Sequence, residues 1–161
     1  MQILYILNHT IVRGGEADRK KIGMYTSEGL ANHAIERTKN KPGFKDPRGF
    51  FTLERRPVRF RSGSSQIRLD SEEPETQFQN NALGQYVFTL YYKIERGDEE
   101  SWKEIGIYAS EELAELTMAQ LKDSSEFQDA DGEFIVSPCE IDFDYWQEGF
   151  VRVDGFGNEY D

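Results

Sequence analysis

Cysteine and histidine are nearly absent from this chain: one cysteine and two histidines among 161 residues. A single cysteine excludes a disulfide framework and any cysteine-rich zinc site. His9 and His33 do not stand at a helical ligand spacing. No run approaches the roughly 18 apolar residues that a membrane helix needs, so no membrane partner is expected. The opening Met1-Gln2-Ile3-Leu4-Tyr5-Ile6-Leu7-Asn8-His9 lacks a basic start and a small-residue cleavage site, so no signal peptide is expected and the location reads as cytoplasmic. Arg13-Gly14-Gly15-Glu16 is glycine-bearing but matches neither dinucleotide nor nucleotide fingerprints. Basic residues are also short, 19 against 30 acidic, for a net charge of −11. What is present is 37% hydrophobic and 13% aromatic residues, enough for a core and too much for a disordered acidic tail.

The most specific feature is an internal repeat at an offset of 83. Arg13, Gly14, Glu16, Lys20, Ile22, Gly23 and Tyr25 recur as Arg96, Gly97, Glu99, Lys103, Ile105, Gly106 and Tyr108. Ser27, Glu28, Leu30 and Ala31 recur as Ser110, Glu111, Leu113 and Ala114. Lys39, Phe44, Asp46, Gly49 and Phe51 recur as Lys122, Phe127, Asp129, Gly132 and Phe134. That gives 16 identities between 13–51 and 96–134 without an insertion, which only a duplication explains.

Each copy reads as strand, glycine-bearing turn, strand, helix and strand. Ile3 to Val12 and Tyr86 to Ile94 carry the β-branched and aromatic residues of a half-buried pleated surface. Short second strands follow at Lys21 to Tyr25 and Glu104 to Tyr108, so the hairpin loops read as longer than the tightest type. Ser27 and Ser110 are N-cap residues, with Glu28 and the Glu111-Glu112 pair in the first turns. Leu30, Ala31, Ala34, Ile35 and Thr38 recur at helical spacing, as do Leu113, Ala114, Met118 and Leu121. Phe50 to Val58 and Glu133 to Ile141 read as third strands. The expected fold is α+β: a duplicated β-β-α-β unit, each with a three-stranded antiparallel sheet covered by one helix, in a pseudo-two-fold arrangement.

The copies part at their ends. The second continues through Asp142-Phe143-Asp144-Tyr145-Trp146-Gln147-Glu148-Gly149-Phe150-Val151, whereas the first runs into Arg61-Ser62-Gly63-Ser64-Ser65. The organisation reads as a basic first repeat over 1–60, a polar linker over 61–83, an acidic second repeat with an aromatic extension over 84–153, and a tail over 154–161. A copy of about 60 residues makes a thin core alone, so the two are expected to pack together.

Three stretches carry a resemblance. Ile22-Gly23-Met24-Tyr25-Thr26-Ser27-Glu28, Pro42-Gly43-Phe44-Lys45-Asp46 and Asp144-Tyr145-Trp146-Gln147-Glu148-Gly149-Phe150 resemble a family of small bacterial domains of unknown function. Their pattern is I-G-x-Y-x-S-E, then P-G-F-x-D, then W-x-E-G-F. The first repeat keeps Pro42-Gly43-Phe44 and lacks the tryptophan end; the second keeps that end but has Ser125-Glu126-Phe127 for Pro-Gly-Phe. The resemblance implies a cytoplasmic bacterial protein of a kind met among accessory and immunity proteins, and no activity.

Charge is segregated. Residues 1–65 hold 13 Lys and Arg against 6 Asp and Glu, net +7, while residues 66–161 hold 6 against 24, net −18. Such asymmetry suits attraction between the two copies, or a basic protein partner met by the acidic copy. Arg55, Arg56, Arg59 and Arg61, beside Phe51 and Phe60, would suit single-stranded nucleic acid, although the acidic half repels phosphate.

Catalytic chemistry finds little support. Cys139 follows Pro138 without a histidine near it in sequence, and neither copy repeats a histidine of the other. Asp129-Ala130-Asp131-Gly132-Glu133 resembles the start of a calcium loop but lacks its remaining ligands; a glycine turn explains it better. Asp142 and Asp144, if on a strand, would share a face. No metal, cofactor or enzymatic activity is expected. The partner-binding candidates are Asp142, Asp144, Tyr145, Trp146 and Glu148, aromatic anchors in an acidic rim, with Trp146 open to either exposure or core packing. These residues point to a non-catalytic protein-binding module, and with the resemblance they imply an immunity-type protein neutralising a basic bacterial toxin. The alternative is a nucleic-acid-binding or regulatory module that uses the basic first repeat.

Overall fold

The computed structural model describes residues 2–60, 83–129, 131–153 and 159–160. Most of the 61–83 linker and of the 154–161 tail lies outside them. The order is β1 (Gln2–Arg13), β2 (Glu16–Tyr25), α1 (Glu28–Thr38), β3 (Gly49–Arg59), then β4 (Tyr86–Arg96), β5 (Glu99–Tyr108), α2 (Glu111–Leu121) and β6 (Gly132–Glu140). A short pair, β7 (Arg152–Val153) and β8 (Glu159–Tyr160), closes the chain. Both repeats therefore contain the strand, strand, helix, strand series that their composition predicts. Among the described residues no helix is long and apolar enough to cross a membrane.

The hairpin turns are tighter than the sequence suggests. Arg13 pairs with Glu16 and Arg96 with Glu99, leaving two-residue turns at Gly14-Gly15 and Gly97-Asp98. Gly14 and Gly15 have φ of 58° and 88°, the positive values that a tight turn matched to strand twist requires. The second strands are longer than predicted because their first halves, Glu16 to Lys20 and Glu99 to Lys103, are polar and show no apolar alternation. A bulge interrupts each ladder at the same place: Leu7 faces Gly23 and Asn8 faces Lys21, while Leu90 faces Gly106 and Tyr91 faces Glu104. The extra residue is Ile22 in one copy and Ile105 in the other.

Both helices start on the predicted serines. Ser27 Oγ accepts from the Leu30 N–H at 3.2 Å, and Ser110 Oγ from the Leu113 N–H at 3.3 Å. Ala31 and Ala34 pack with Leu7, Ile22, Tyr25 and Phe44; Ala114 packs with Leu90 and Tyr108. The first strands are not half-buried. Leu4, Ile6, Leu7, Asn8, His9 and Ile11 are all buried, from both faces of β1, which accounts for the nearly continuous apolar run.

The expectation of two three-stranded antiparallel sheets is overturned. The strands hydrogen-bond as one six-stranded mixed sheet in the order β2-β1-β3-β5-β4-β6. The end of β3 runs parallel to β5, Val58 facing Ile107 and Arg59 facing Tyr108, with the Ala109 N–H donating to the Arg59 carbonyl at 3.0 Å. At the equivalent place Ile141 forms a parallel bridge with Met24, and the Asp142 N–H donates to the Met24 carbonyl at 2.7 Å. Each third strand thus ends on the other repeat's hairpin. Local patterning shows where a strand is, and the partner of its last two residues is a tertiary choice.

Two compact units result, each assembled from both repeats. One holds the described residues of Ile3–Pro57 and Cys139–Asp161, the other those of Val58–Pro138. The aromatic extension, read from sequence with the second repeat, folds with the first.

Candidate interaction site

An aromatic tripod sets the base of the site in the first unit. His9 packs against Phe44 and Phe51, ring centroids 5.1 and 4.8 Å apart. Glycine at 49 is required here, since a Cβ would collide with the His9 ring. Asp46 closes the loop below, accepting from Arg13 at 2.7 Å and from the Arg48 N–H at 2.9 Å. Its carboxyl is held well below the ordinary range, chiefly by the Arg48 side chain, then by the Arg48 N–H and Arg13. His9 is therefore a core ring, and His33 is exposed on α1.

The extension lies over this base. Trp146 and Phe150 pack at the edge of the core, rings 5.4 Å apart, with Phe150 edge-on to Phe44 at 4.9 Å. Trp146 Nε1 donates to the Lys21 carbonyl at 2.8 Å, the Tyr145 N–H to the Ile22 carbonyl at 2.8 Å, and the Phe150 N–H to the Pro42 carbonyl at 3.0 Å. Gly43 and Gly149 have φ of 82° and 77°. A Cβ on Gly43 would lie 2.6 Å from the Phe150 carbonyl oxygen, and one on Gly149 2.5 Å from that of Pro42. The Pro-Gly-Phe and Glu-Gly-Phe stretches are thus two halves of one contact.

The two aspartates have separate duties. Asp142 stands at φ 58°, a costly region for a residue with a Cβ. Its carboxylate accepts from the Thr26 N–H at 2.7 Å and the Thr26 hydroxyl at 2.8 Å. Asp144 is buried and accepts from the Tyr25 hydroxyl at 2.6 Å and from Arg37 Nε and Nη2 at 2.7 and 2.8 Å. Burial pushes the Asp144 carboxyl up, but the hydrogen bonds from Arg37 and Tyr25 and the charges of Arg37 and Lys41 outweigh it, so the group ionises below its ordinary range. Burial and the same carboxylate push the Tyr25 hydroxyl far up, fixing it as a donor. The chain turns at Asp142 instead of continuing as a strand, so the expected acid pair on one face does not form.

The structure brings Asp142, Asp144 and Glu148 to one open groove of about 440 Å³, which Arg37, Lys41 and Phe143 also line. Glu148, Asp142 and Phe143 are exposed there, whereas Tyr145 and Trp146 are half-buried. Tyr145 donates its hydroxyl to the Glu140 carbonyl at 3.0 Å. Arg55, Arg56 and Arg59 are not among the residues that line this groove. Arg55 lies over the Tyr5 ring at 5.9 Å; Arg59 lies over Tyr108 and donates to its hydroxyl at 3.1 Å. Arg56 is half-buried, and Arg61 lies outside the described residues.

In the second unit Tyr92 packs on Phe127 and Phe134 at 5.0 and 4.9 Å, matching the first tripod within 0.1 Å. Arg96 pairs with Asp129, whose Oδ1 also accepts from the Asp131 N–H at 3.1 Å, so this acidic stretch is a clasped turn. Among the described residues no three His, Cys, Asp or Glu side chains are placed to hold a metal. Cys139, at the end of β6, is half-buried and in no disulfide.

One surface aromatic escaped the sequence reading. Trp102 on β5 is 51% exposed. Tyr91 meets it edge-on at 5.9 Å, Lys93 Nζ lies 5.3 Å from its ring centroid, and its Nε1 donates to Glu100 at 3.2 Å. The signal was available: Trp102 aligns with Arg19, an unshared position in an otherwise well-matched stretch. Compared with models of protein families, with curated proteins and with solved structures, the chain matches none.

Proposed function

We propose that the protein is a non-catalytic, cytoplasmic protein-binding module of the immunity type, which neutralises a basic bacterial toxin by occupying it. The observation that carries this reading is the display of acid on the second repeat. Glu111, Glu112 and Glu115 stand exposed on α2, and Asp98 and Glu99 at the β4–β5 turn. A surface of one sign steers a partner of the other and speeds encounter. A nuclease toxin fits such a partner, because its own site must attract phosphate. The extension supplies a second contact face, where Asp142, Phe143 and Glu148 are presented by a segment anchored through Trp146 and Asp144.

Affinity capture on the full-length protein, with the retained material identified by mass spectrometry, tests the reading. The expected result is a basic protein released by salt, whose activity the chain inhibits in a reconstituted assay. Recovery of RNA or DNA alone, with retention lost on changing Arg55 and Arg56, would instead favour the nucleic-acid module.

A further inference from the structure

Trp102 stands exposed on a sheet face, and the chain itself shows which chemistry suits its indole. Lys93 Nζ sits 5.3 Å from the Trp102 ring centroid and is held there by Glu95 at 2.7 Å and Glu100 at 3.2 Å. The β4–β5 face is therefore already built as an indole flanked by carboxylates, with a cation in place. Half of the Trp102 surface stays open, and Glu95 and Glu100 are exposed on the same face of the sheet.

The first repeat closes the same place. Arg19, at the position of Trp102, pairs with Glu54 on β3, while Ser137 stands where Glu54 would be in the second copy. At this position the second copy carries an aromatic side chain and the first does not, and the second copy lies in the acidic half of the chain.

We infer that the β4–β5 face around Trp102 docks an arginine-bearing segment of a basic protein, the guanidinium stacking on the open part of the indole and donating to Glu100 and Glu95. Arginine fits better than lysine because its planar, weakly hydrated head can stack and fork its hydrogen bonds at once. The inference rests on the protein-binding reading and names the partner's chemistry at one site.

The test uses the full chain and two synthetic probes, a glycine-spaced hexa-arginine peptide and its lysine counterpart, titrated calorimetrically at physiological ionic strength. The arginine peptide is expected to bind about fivefold tighter than the lysine peptide. Trp102→Ala weakens it about tenfold and removes the preference, while Trp102→Tyr restores part of both. Trp102 is exposed, so the circular dichroism melt of either variant stays that of the parent. Equal binding of the two peptides, or no effect of Trp102→Ala, overturns the inference. A captured basic protein that Trp102→Ala still retains, but that Asp142→Lys with Glu148→Lys loses, overturns it while leaving the protein-binding reading standing.

Discussion

The two aromatic clefts differ in what covers them. His9, Phe44 and Phe51 lie under Trp146 and Phe150, while Tyr92, Phe127 and Phe134 border an open cleft of about 330 Å³. The two ring spacings in each base agree to within 0.1 Å, so the difference in cover does not come from the spacing of the base. It comes from the rim. Gly43 gives way to Glu126, and at the repeat offset Gly63 and Ile67 stand for Trp146 and Phe150. Since the Phe150 backbone and ring both press on Gly43, the cover and the glycine can only be kept together or lost together. The first repeat supplies the receptor, the second supplies the cover, and each has lost the half it does not use.

Removing the cover should produce the largest effect. Trp146→Ala deletes a packed indole and leaves the Lys21 carbonyl without its donor, a loss of about 3–5 kcal/mol in a denaturant melt. Phe134→Ala in the open cleft should cost clearly less, because its outer side has no cover to lose. Equal losses at the two sites would mean that the cover contributes little to the first cleft.

Changing the rim comes next. Gly43→Ala places a Cβ 2.6 Å from the Phe150 carbonyl at φ 82°, and should cost about 2 kcal/mol. The reciprocal Glu126→Gly, at an exposed position, should change stability by less than about 1 kcal/mol. Protease digestion reads the same contrast: the first variant should be cut more readily between Asp142 and Val151, the second not.

Much of this plan was legible in the chain. A gap-free repeat fixes the order of elements, and Ser27 and Ser110 mark the helix starts through a local bond. Three features were not. The exchange of third-strand ends depends on which hairpin offers a free edge to Val58 and Ile141, and hydrophobic alternation does not record that. The polar first halves of β2 and β5 hid the two-residue turns. Asp144 reads as a surface contact and Trp146 stays open between exposure and core, because sequence shows their chemistry without Tyr25, Arg37 and Lys21, which lie more than a hundred residues away along the chain.

The lock on the cover should depend on acid. Asp144 ionises below its ordinary value in the folded chain, so its contribution is fully present above about pH 4 and is lost as pH falls through the lowered folded value. Asp144→Asn should lower stability near neutral pH by about 1–2 kcal/mol and flatten the acid limb of the melting profile. Tyr108, the counterpart of Tyr25, meets Arg59 instead of a carboxylate, so that pair adds no such limb in the second unit. A variant with an unaltered acid limb would show that the loss lies in other carboxylates, Asp46 foremost.

The smallest expected difference is between the two helix starts. Ser27 and Ser110 share φ −143° and ψ 154°, and each accepts one N–H three residues on. Removing either hydroxyl leaves one N–H of the first turn to solvent, a loss of about 1 kcal/mol. Ser27→Ala and Ser110→Ala should therefore lower the unfolding free energy by equal amounts, because the cap is local and does not sense the cover. The neighbours differ: Thr26 is held by Asp142 of the extension, whereas the Ala109 N–H donates to the Arg59 carbonyl. If Ser27→Ala proves the costlier by more than about 0.5 kcal/mol, the start of α1 and the cover act as one cooperative piece, and the coupling is then measured by repeating both changes in an Asp142→Ala background.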